Sequence, residues 1–348
     1  MGKKMKRVKK LLRNFIIFIA LIVLTFYIIL KDQDISGIIK VIVDSKKEFL
    51  LIAVLAMSIY VICEAINIGR TLKALNEKSN FFKNIKYALI GFFFSAITPA
   101  ASGGQPMQIY YMHKENISVA NSTLALLINL SCMQVVTISI AFVSLIFNYK
   151  YLNRGLIWLF AIGVTLNLSA LVLLLICIFT KKISKGLINI VIKILKLFKV
   201  KNVEEKENKF KNELIKYQRS AEYIKKNKLV ILKNLITTYI QYILFYSVSY
   251  WVYCAFGLSE HNILEIITMQ SILYATVSGI PSPGAVGVSE GGFMVIFSNL
   301  FPKNMLEGAM MLNRGINFYL LVVISSIVVM INAIKDKKEH EELIKEIS

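Results

Sequence analysis

The sequence predicts an all-α, polytopic integral membrane bundle: six full spans plus two re-entrant hairpins broken by glycine and proline, which a plain hydropathy count reads as eight spans. Three observations lead there. Hydrophobic residues make up 56% of the 348 and gather into long blocks almost free of charge. Lysines and arginines collect at the ends of those blocks, and two blocks are interrupted by proline and glycine in a similar order. A bilayer core needs roughly 20 helical residues to cross it and penalises every unpaired backbone group. Blocks of this length exclude a pair of soluble domains of ordinary composition.

From the N-terminus, residues 1–13 form a basic segment with Lys3, Lys4, Lys6, Arg7, Lys9, Lys10 and Arg13. The apolar block 14–30 follows, and Lys31-Asp32-Gln33-Asp34 after it offers no small-residue cleavage site, so a retained signal anchor is expected. Blocks 49–63, 118–149, 155–180, 234–259 and 315–334 read as further spans, and 87–112 and 266–289 as hairpins. Charge decides the topology. If every block crossed once, the loop 181–228, with 15 lysines and arginines, would lie opposite the basic N-terminus, against the positive-inside rule. Turning 87–112 back brings 31 of the 41 positive residues, in 1–13, 70–86, 181–228 and the tail after 334, to one side. The reading is a membrane domain over 14–334 with a basic cytoplasmic loop at 181–228, a cytoplasmic tail at 335–348, and both termini cytoplasmic in an inner membrane.

Within the loop, Ile183, Leu187, Ile190, Ile194 and Leu197 recur at helical spacing between lysines. That pattern suits an interfacial helix on anionic lipid, or a loop that only fixes orientation. Residues 202–228 mix glutamate and lysine, as a solvated helix or coil does.

The interruptions read Thr98-Pro-Ala-Ala-Ser-Gly-Gly-Gln-Pro106 and Ser278-Gly-Ile-Pro-Ser-Pro-Gly-Ala-Val-Gly-Val-Ser-Glu-Gly-Gly292, and hold four of the chain's five prolines. Proline cannot continue a helix, so the backbone must open there. Pro99 with Gly103, and Pro283 with Gly287, repeat one spacing, followed by Gln105 in the first segment and Glu290 in the second. Gly104 and Gly284 complete the expected irregular backbone. The first hairpin is expected to enter from the cytoplasm and the second from outside, giving an inverted repeat with a site near the midplane.

Ionisable groups deep in a membrane mark candidate sites. Glu290 follows the second break directly. Arg314, beside Asn313 near the start of the last apolar block, can pair with Glu290, bind a lipid phosphate, or snorkel to the membrane edge. Glu64 faces either a polar cavity or the interface. Thr238, Tyr242, Tyr246, Ser249, Tyr250 and Tyr253 set hydroxyls on one helix face. Such a stripe lines a headgroup groove or makes interhelical hydrogen bonds.

Conventional chemistry finds no purchase. Cys63, Cys132, Cys177 and Cys254 lie singly in separate blocks and read as packing residues, and His113, His261 and His340 are isolated. The chain has no HExxH, GxSxG or P-loop pattern and no zinc spacing, so neither a metal nor another cofactor is expected. The net charge of +20 sits beside apolar blocks, which points to membrane phospholipids with anionic headgroups as partners and away from nucleic acid.

TPAASGGQPMQIYYM at 98–112, PSPGAVGVSEGGF at 281–293 and NRGINFY at 313–319 resemble the membrane domain of the lysylphosphatidylglycerol synthase and flippase family, the part of the multiple peptide resistance factor that moves aminoacylated lipid between leaflets. The family's first motif often carries a glutamate and a following arginine, where this chain has Gln105 and Gln108; the acidic position of the second motif and the arginine of the last segment correspond to Glu290 and Arg314. The resemblance implies a free-standing flippase-type membrane domain without the soluble synthase domain. Its expected activity is translocation of phosphatidylglycerol or its lysyl ester, with Glu290, Arg314, Gln105, Gln108, Asn313, Tyr242 and Tyr246 around the headgroup. Two other classes stay open: a phosphatidylglycerol lysyltransferase, which would need charged tRNA as a partner, and a scaffold subunit for another membrane enzyme.

Overall fold

Helix ends in this chain are set by local chemistry that can be read residue by residue in the computed structural model. The structure describes residues 35–148, 154–180 and 203–347, with Ile16, Ile19, Ala20, Val23, Tyr27 and Gly186. The expected anchor at 14–30 and the amphipathic stretch 183–199 lie almost wholly outside the described residues.

A short helix α1 (Ile35–Val43) leads into the long α2 (Lys47–Ala74). Helix α3 (Phe81–Ala96) starts at Asn80, whose side chain accepts from the Lys83 amide, and a turn at Pro99–Ala101 separates it from α4 (Gly104–Lys114). Two long apolar helices follow, α5 (Val119–Asn148) and α6 (Arg154–Phe179), then the charged α7 (Val203–Lys226) and the span α8 (Lys228–Ala255). Helix α9 (Ile263–Val277) opens with a capping box between Asn262 and Glu265. A turn at Pro283–Ala285 leads to α10 (Val288–Ile296). Helix α11 (Lys303–Arg314) passes through a π-helical turn at Gly315–Tyr319 into α12 (Leu320–Ile347).

Among the described residues, five stretches are long and apolar enough to cross a bilayer: Lys47–Ala74, Val119–Phe147, Arg154–Phe179, Lys228–Ala255 and Lys303–Lys335. Their outer faces carry large apolar side chains in the open, such as Trp158, Leu159, Ile162 and Leu173 on α6 and Ile327, Met330 and Ile331 on α12. A surface of this size and polarity belongs in lipid. The last stretch corrects the sequence reading, which began it at 315. Lys303, Glu307 and Arg314 had masked its first half, which is closed over by α1, with Val41 and Ile42 against Gly308. Residues 203–226 are helical, and α7 docks on one end of the bundle through Tyr217, Ala221 and Ile224.

Helices α2 and α8 run antiparallel in close contact along their length. Asn67 donates to Thr238 at 2.9 Å, Arg70 reaches Asn234 at 2.8 Å, and at the other end the Lys46 amide donates to the Ala255 carbonyl at 2.8 Å. These contacts define two ends of the molecule. The hairpin α3–α4 leaves and returns at the end where α2 finishes: Lys86 pairs with Glu115, Tyr87 OH bonds the same carboxylate at 2.9 Å, and Glu77 takes Ser118 and Asn121. The hairpin α9–α10 leaves and returns at the opposite end, where Tyr253 stacks edge-on against Phe301 and accepts from the Glu260 and His261 amides. The two turns meet each other, Pro99–Ala101 against Pro283–Ala285.

Candidate functional site

Each turn is built the same way. A proline occupies the first position of a 3-10 turn, and the next two residues take left-handed or nearly left-handed backbone: Ala100 and Ala101 at φ 51° and 52°, Gly284 and Ala285 at φ 61° and 52°. Gly284 has the Phe318 ring pressed where a Cβ would stand, so glycine is required there on two counts. Aligned on their prolines, the two segments set Pro106, not Gln105, opposite Glu290. That corrects the expected correspondence by one residue.

Glu290 sits in the first turn of α10 and is fully buried. One carboxylate oxygen, Oε2, accepts from the Gly287 amide at 2.8 Å. The other, Oε1, accepts from Arg314 Nε and from Tyr319 OH, both at 2.8 Å. Arg314 also donates Nη2–H to the Gly284 carbonyl at 3.1 Å, and its guanidinium lies 4.3 Å over the Phe318 ring. An isolated charge at this depth is costly, but a pair with its lone pairs and donors engaged is tolerated. Arg314 stands about a third of the way along the stretch Lys303–Lys335, and its side chain turns inward to Glu290 and the Gly284 carbonyl rather than outward. Its guanidinium also lies 5.6 Å from the Tyr319 ring centre, and the side chain borders a cavity of about 460 Å³.

That cavity lies beside the meeting turns and is also lined by Asn313, Asn317, Ser282 and Gln270. A second, of about 650 Å³, extends toward the other end and is lined by Glu64, Gln105, Gln108, Asn129 and Tyr242 among others. The two share Tyr60, Ser95, Ala100, Ala101, Gln134, Asn167 and Tyr274 as a common wall. Both volumes fall in the range of ligand pockets, roughly 300–1,000 Å³. Several polar atoms in these walls are buried without a partner, namely Gln134 Oε1, Ser282 Oγ and Asn317 Oδ1.

Of the seven expected headgroup residues, Arg314 and Asn313 line the smaller cavity, Gln105, Gln108 and Tyr242 the larger, and Glu290 and Tyr246 stand behind the walls. Glu290 and Arg314 meet, and Asn313, accepting from Ser249 at 3.1 Å, lies in the smaller cavity with Arg314. Gln105 and Gln108 line the larger one, and Gln108 donates to the Tyr87 carbonyl at 3.1 Å across the first hairpin. Tyr242 reaches the larger cavity and bonds Tyr274 OH at 3.3 Å. Tyr246 packs instead into the ring cluster with Tyr242, Phe245 and Tyr274. The hydroxyl stripe on α8 is therefore not one groove: Thr238, Ser249 and Tyr253 spend their bonds on Asn67, Gln270 and the 260–261 backbone. Glu64 faces the cavity, held by Asn129 Nδ2 at 2.6 Å and Gln241 Nε2 at 2.9 Å. Sequence reasoning missed the partners Gln134 and Asn167, which carry no charge and no spacing that sets them apart, and gave no role to Asn317 and Tyr319, although both stand in the NRGINFY stretch at 313–319. Among the described residues, no group of three His, Cys, Asp or Glu is placed to hold a metal ion, and Cys63, Cys132, Cys177 and Cys254 are unpaired thiols.

Comparison with known proteins places this geometry in context. A family profile described as the lysylphosphatidylglycerol synthase TM region matches residues 15–325. A UPF0104 membrane protein of Pyrococcus horikoshii is 24% identical over 321 residues, covering 88% of this chain and 93% of its own length.

Proposed function

Because the chain belongs to the lysylphosphatidylglycerol synthase transmembrane-region family, and is a multi-pass membrane protein, we propose that it carries phospholipid headgroups across the bilayer, those of phosphatidylglycerol or its lysyl ester. The observation that carries this reading is Arg314. It is a buried guanidinium whose charge is balanced by Glu290 and which borders a half-open cavity, with Asn313, Asn317 and Ser282 in its wall, at the meeting of two broken hairpins.

The complement of that cavity fits such a headgroup. A phosphate diester is a bidentate acceptor suited to the guanidinium of Arg314 at the cavity wall, and glycerol hydroxyls supply donors for Gln134 Oε1 and Asn317 Oδ1. Acyl chains need no protein enclosure, because the outer faces of α6 and α12 are exposed and apolar, suited to a lipid environment. The headgroup then moves between the cavities past the turns 99–101 and 283–285, while its tails stay in the bilayer.

The test is reconstitution of the purified chain in liposomes with headgroup-labelled phosphatidylglycerol or its lysyl ester. Transbilayer movement that falls at least tenfold in Arg314→Gln, and falls also in Glu290→Gln, is the expected result. Movement of neither lipid by the natural sequence, in protein shown to be folded, counts decisively against the reading.

A further inference from the structure

Glu64 takes no part in the arrangement around Arg314, yet it is the acidic group in the wall of the larger cavity. It stands on α2 and is held from two other helices, by Asn129 on α5 and Gln241 on α8. Both carboxamides turn their N–H groups toward the carboxylate. Their oxygens, Asn129 Oδ1 and Gln241 Oε1, are left buried with no partner, and the two residues are 2% and 0% exposed. Half a turn of either carboxamide would present its oxygen to Glu64 in place of its N–H. The first orientation suits a bare carboxylate, and the second suits a carboxyl group neutralised by a bound proton or sodium ion, to which an amide oxygen can bond.

The groups facing Glu64 are Tyr60 and Cys63 on its own helix, Tyr242 from α8 and Tyr274 from α9. Cys177 of α6 lines the same cavity. The nearby cation, Arg70, is engaged with Asn67, Asn234 and Thr237. No lysine, arginine or histidine lines the cavity among the described residues. One carboxylate without a protein counter-charge is matched by one monovalent ion, whereas divalent sites gather several carboxylates.

We infer that Glu64 is a coupling site: it takes up one monovalent cation, a proton or a sodium ion, when an anionic headgroup enters the larger cavity. The physical link is charge. The two cavities share a wall through Tyr60, Ala100, Asn167 and Tyr274, so a phosphate passing the turns comes into the field of Glu64. Two negative charges that share a cavity wall repel each other, and a cation on Glu64 removes that repulsion. The inference rests on the translocation reading for its consequence, but the cation site itself does not.

Vesicles holding the purified chain and labelled phosphatidylglycerol test it with two imposed gradients, one of pH without sodium and one of sodium at equal pH. The expected result is that one of the two drives lipid accumulation toward the side the ion enters. For one ion per lipid this is up to about tenfold for one pH unit or a tenfold sodium ratio. Glu64→Gln, which keeps the size and hydrogen-bonding capacity of the side chain, is expected to leave the distribution indifferent to both gradients. A natural chain indifferent to both, or a variant that still follows one, overturns the coupling. Should no lipid move at all, the translocation reading fails while the site is still decided by infrared difference spectra of the purified protein. A carboxyl signal absent from Glu64→Gln and responsive to pH or sodium supports the site, and no Glu64-dependent response to either ion overturns it.

Discussion

Gly103 and Gly287 hold the same place in two turns that enter from opposite ends of the bundle, each four residues after a proline, yet their amides find different acceptors. The Gly103 amide donates to Thr98 Oγ1 at 2.9 Å, inside its own turn. The Gly287 amide donates to Glu290, whose other oxygen holds Arg314 and Tyr319 at the junction of α11 and α12. The first turn therefore closes on itself, and the second is tied to the last span.

Removing one member of a buried ion pair strands the other charge, at a cost of roughly 3–5 kcal/mol. Glu290→Gln and Arg314→Gln should each lower thermal stability in detergent by an amount in that range, and the double variant by much less than their sum. Additive losses would show that the two side chains do not depend on each other.

The turns respond oppositely to a change of one methyl group. Gly284→Ala puts a Cβ into the Phe318 ring at a positive φ, and a loss of roughly 1–3 kcal/mol with reduced transport is expected. Ala100 already stands at φ 51°, so Ala100→Gly relieves about 1 kcal/mol of backbone strain, less the added entropy of glycine. Unfolding midpoints of the two variants check the pair of signs.

Asn167 on α6 donates to the Ala275 carbonyl at 3.2 Å and to Ser278 Oγ at 3.0 Å, just before the second turn. Asn167→Leu leaves that carbonyl without its side-chain donor, at a cost of roughly 1–3 kcal/mol. Faster labelling of a cysteine introduced at Ser278 is the expected readout, against unchanged labelling at an exposed position on α7.

Glu77 gives the pH dependence. Burial alone would raise its pKa, but hydrogen bonds from Asn121 and Ser118 and the charge of Lys216 outweigh it and hold the carboxyl below its ordinary value. A depressed folded value means that its stabilising effect is fully present above the unfolded pKa, about 4.3, and is lost as pH falls through the folded one. Docking of α7 should persist at neutral pH and weaken in acid. Hydrogen exchange over Val203–Lys226 measures it, and Glu77→Gln should remove the acid dependence.

The break points were legible because proline and glycine act through backbone geometry that needs no knowledge of neighbours. Glu290 and Arg314 stood out as ions in apolar sequence, but the depth of Arg314 did not. Hydropathy averages over Lys303, Glu307 and Arg314 and ends the apolar block too soon, whereas in three dimensions α1 covers that half of the helix. The hydroxyls of α8 share one spacing, and sequence cannot tell Tyr242, which reaches a cavity, from Ser249, which bonds Gln270. Least legible was Glu64 with its two carboxamides, which come together from positions 65 and 177 residues away.

The meeting of the two turns also has an electrical consequence. Where water fills the cavities on either side, the membrane voltage cannot fall evenly along the bundle and is concentrated over the narrow septum formed by Pro99–Ala101 and Pro283–Ala285. A charged headgroup crossing that septum would traverse most of the potential, worth about 2.3 kcal/mol per charge at 100 mV, within a step of a few side chains. A thin electrical barrier of this kind makes the passage of a single charge steeply sensitive to voltage, while the uncharged tails, travelling outside in lipid, feel none of it.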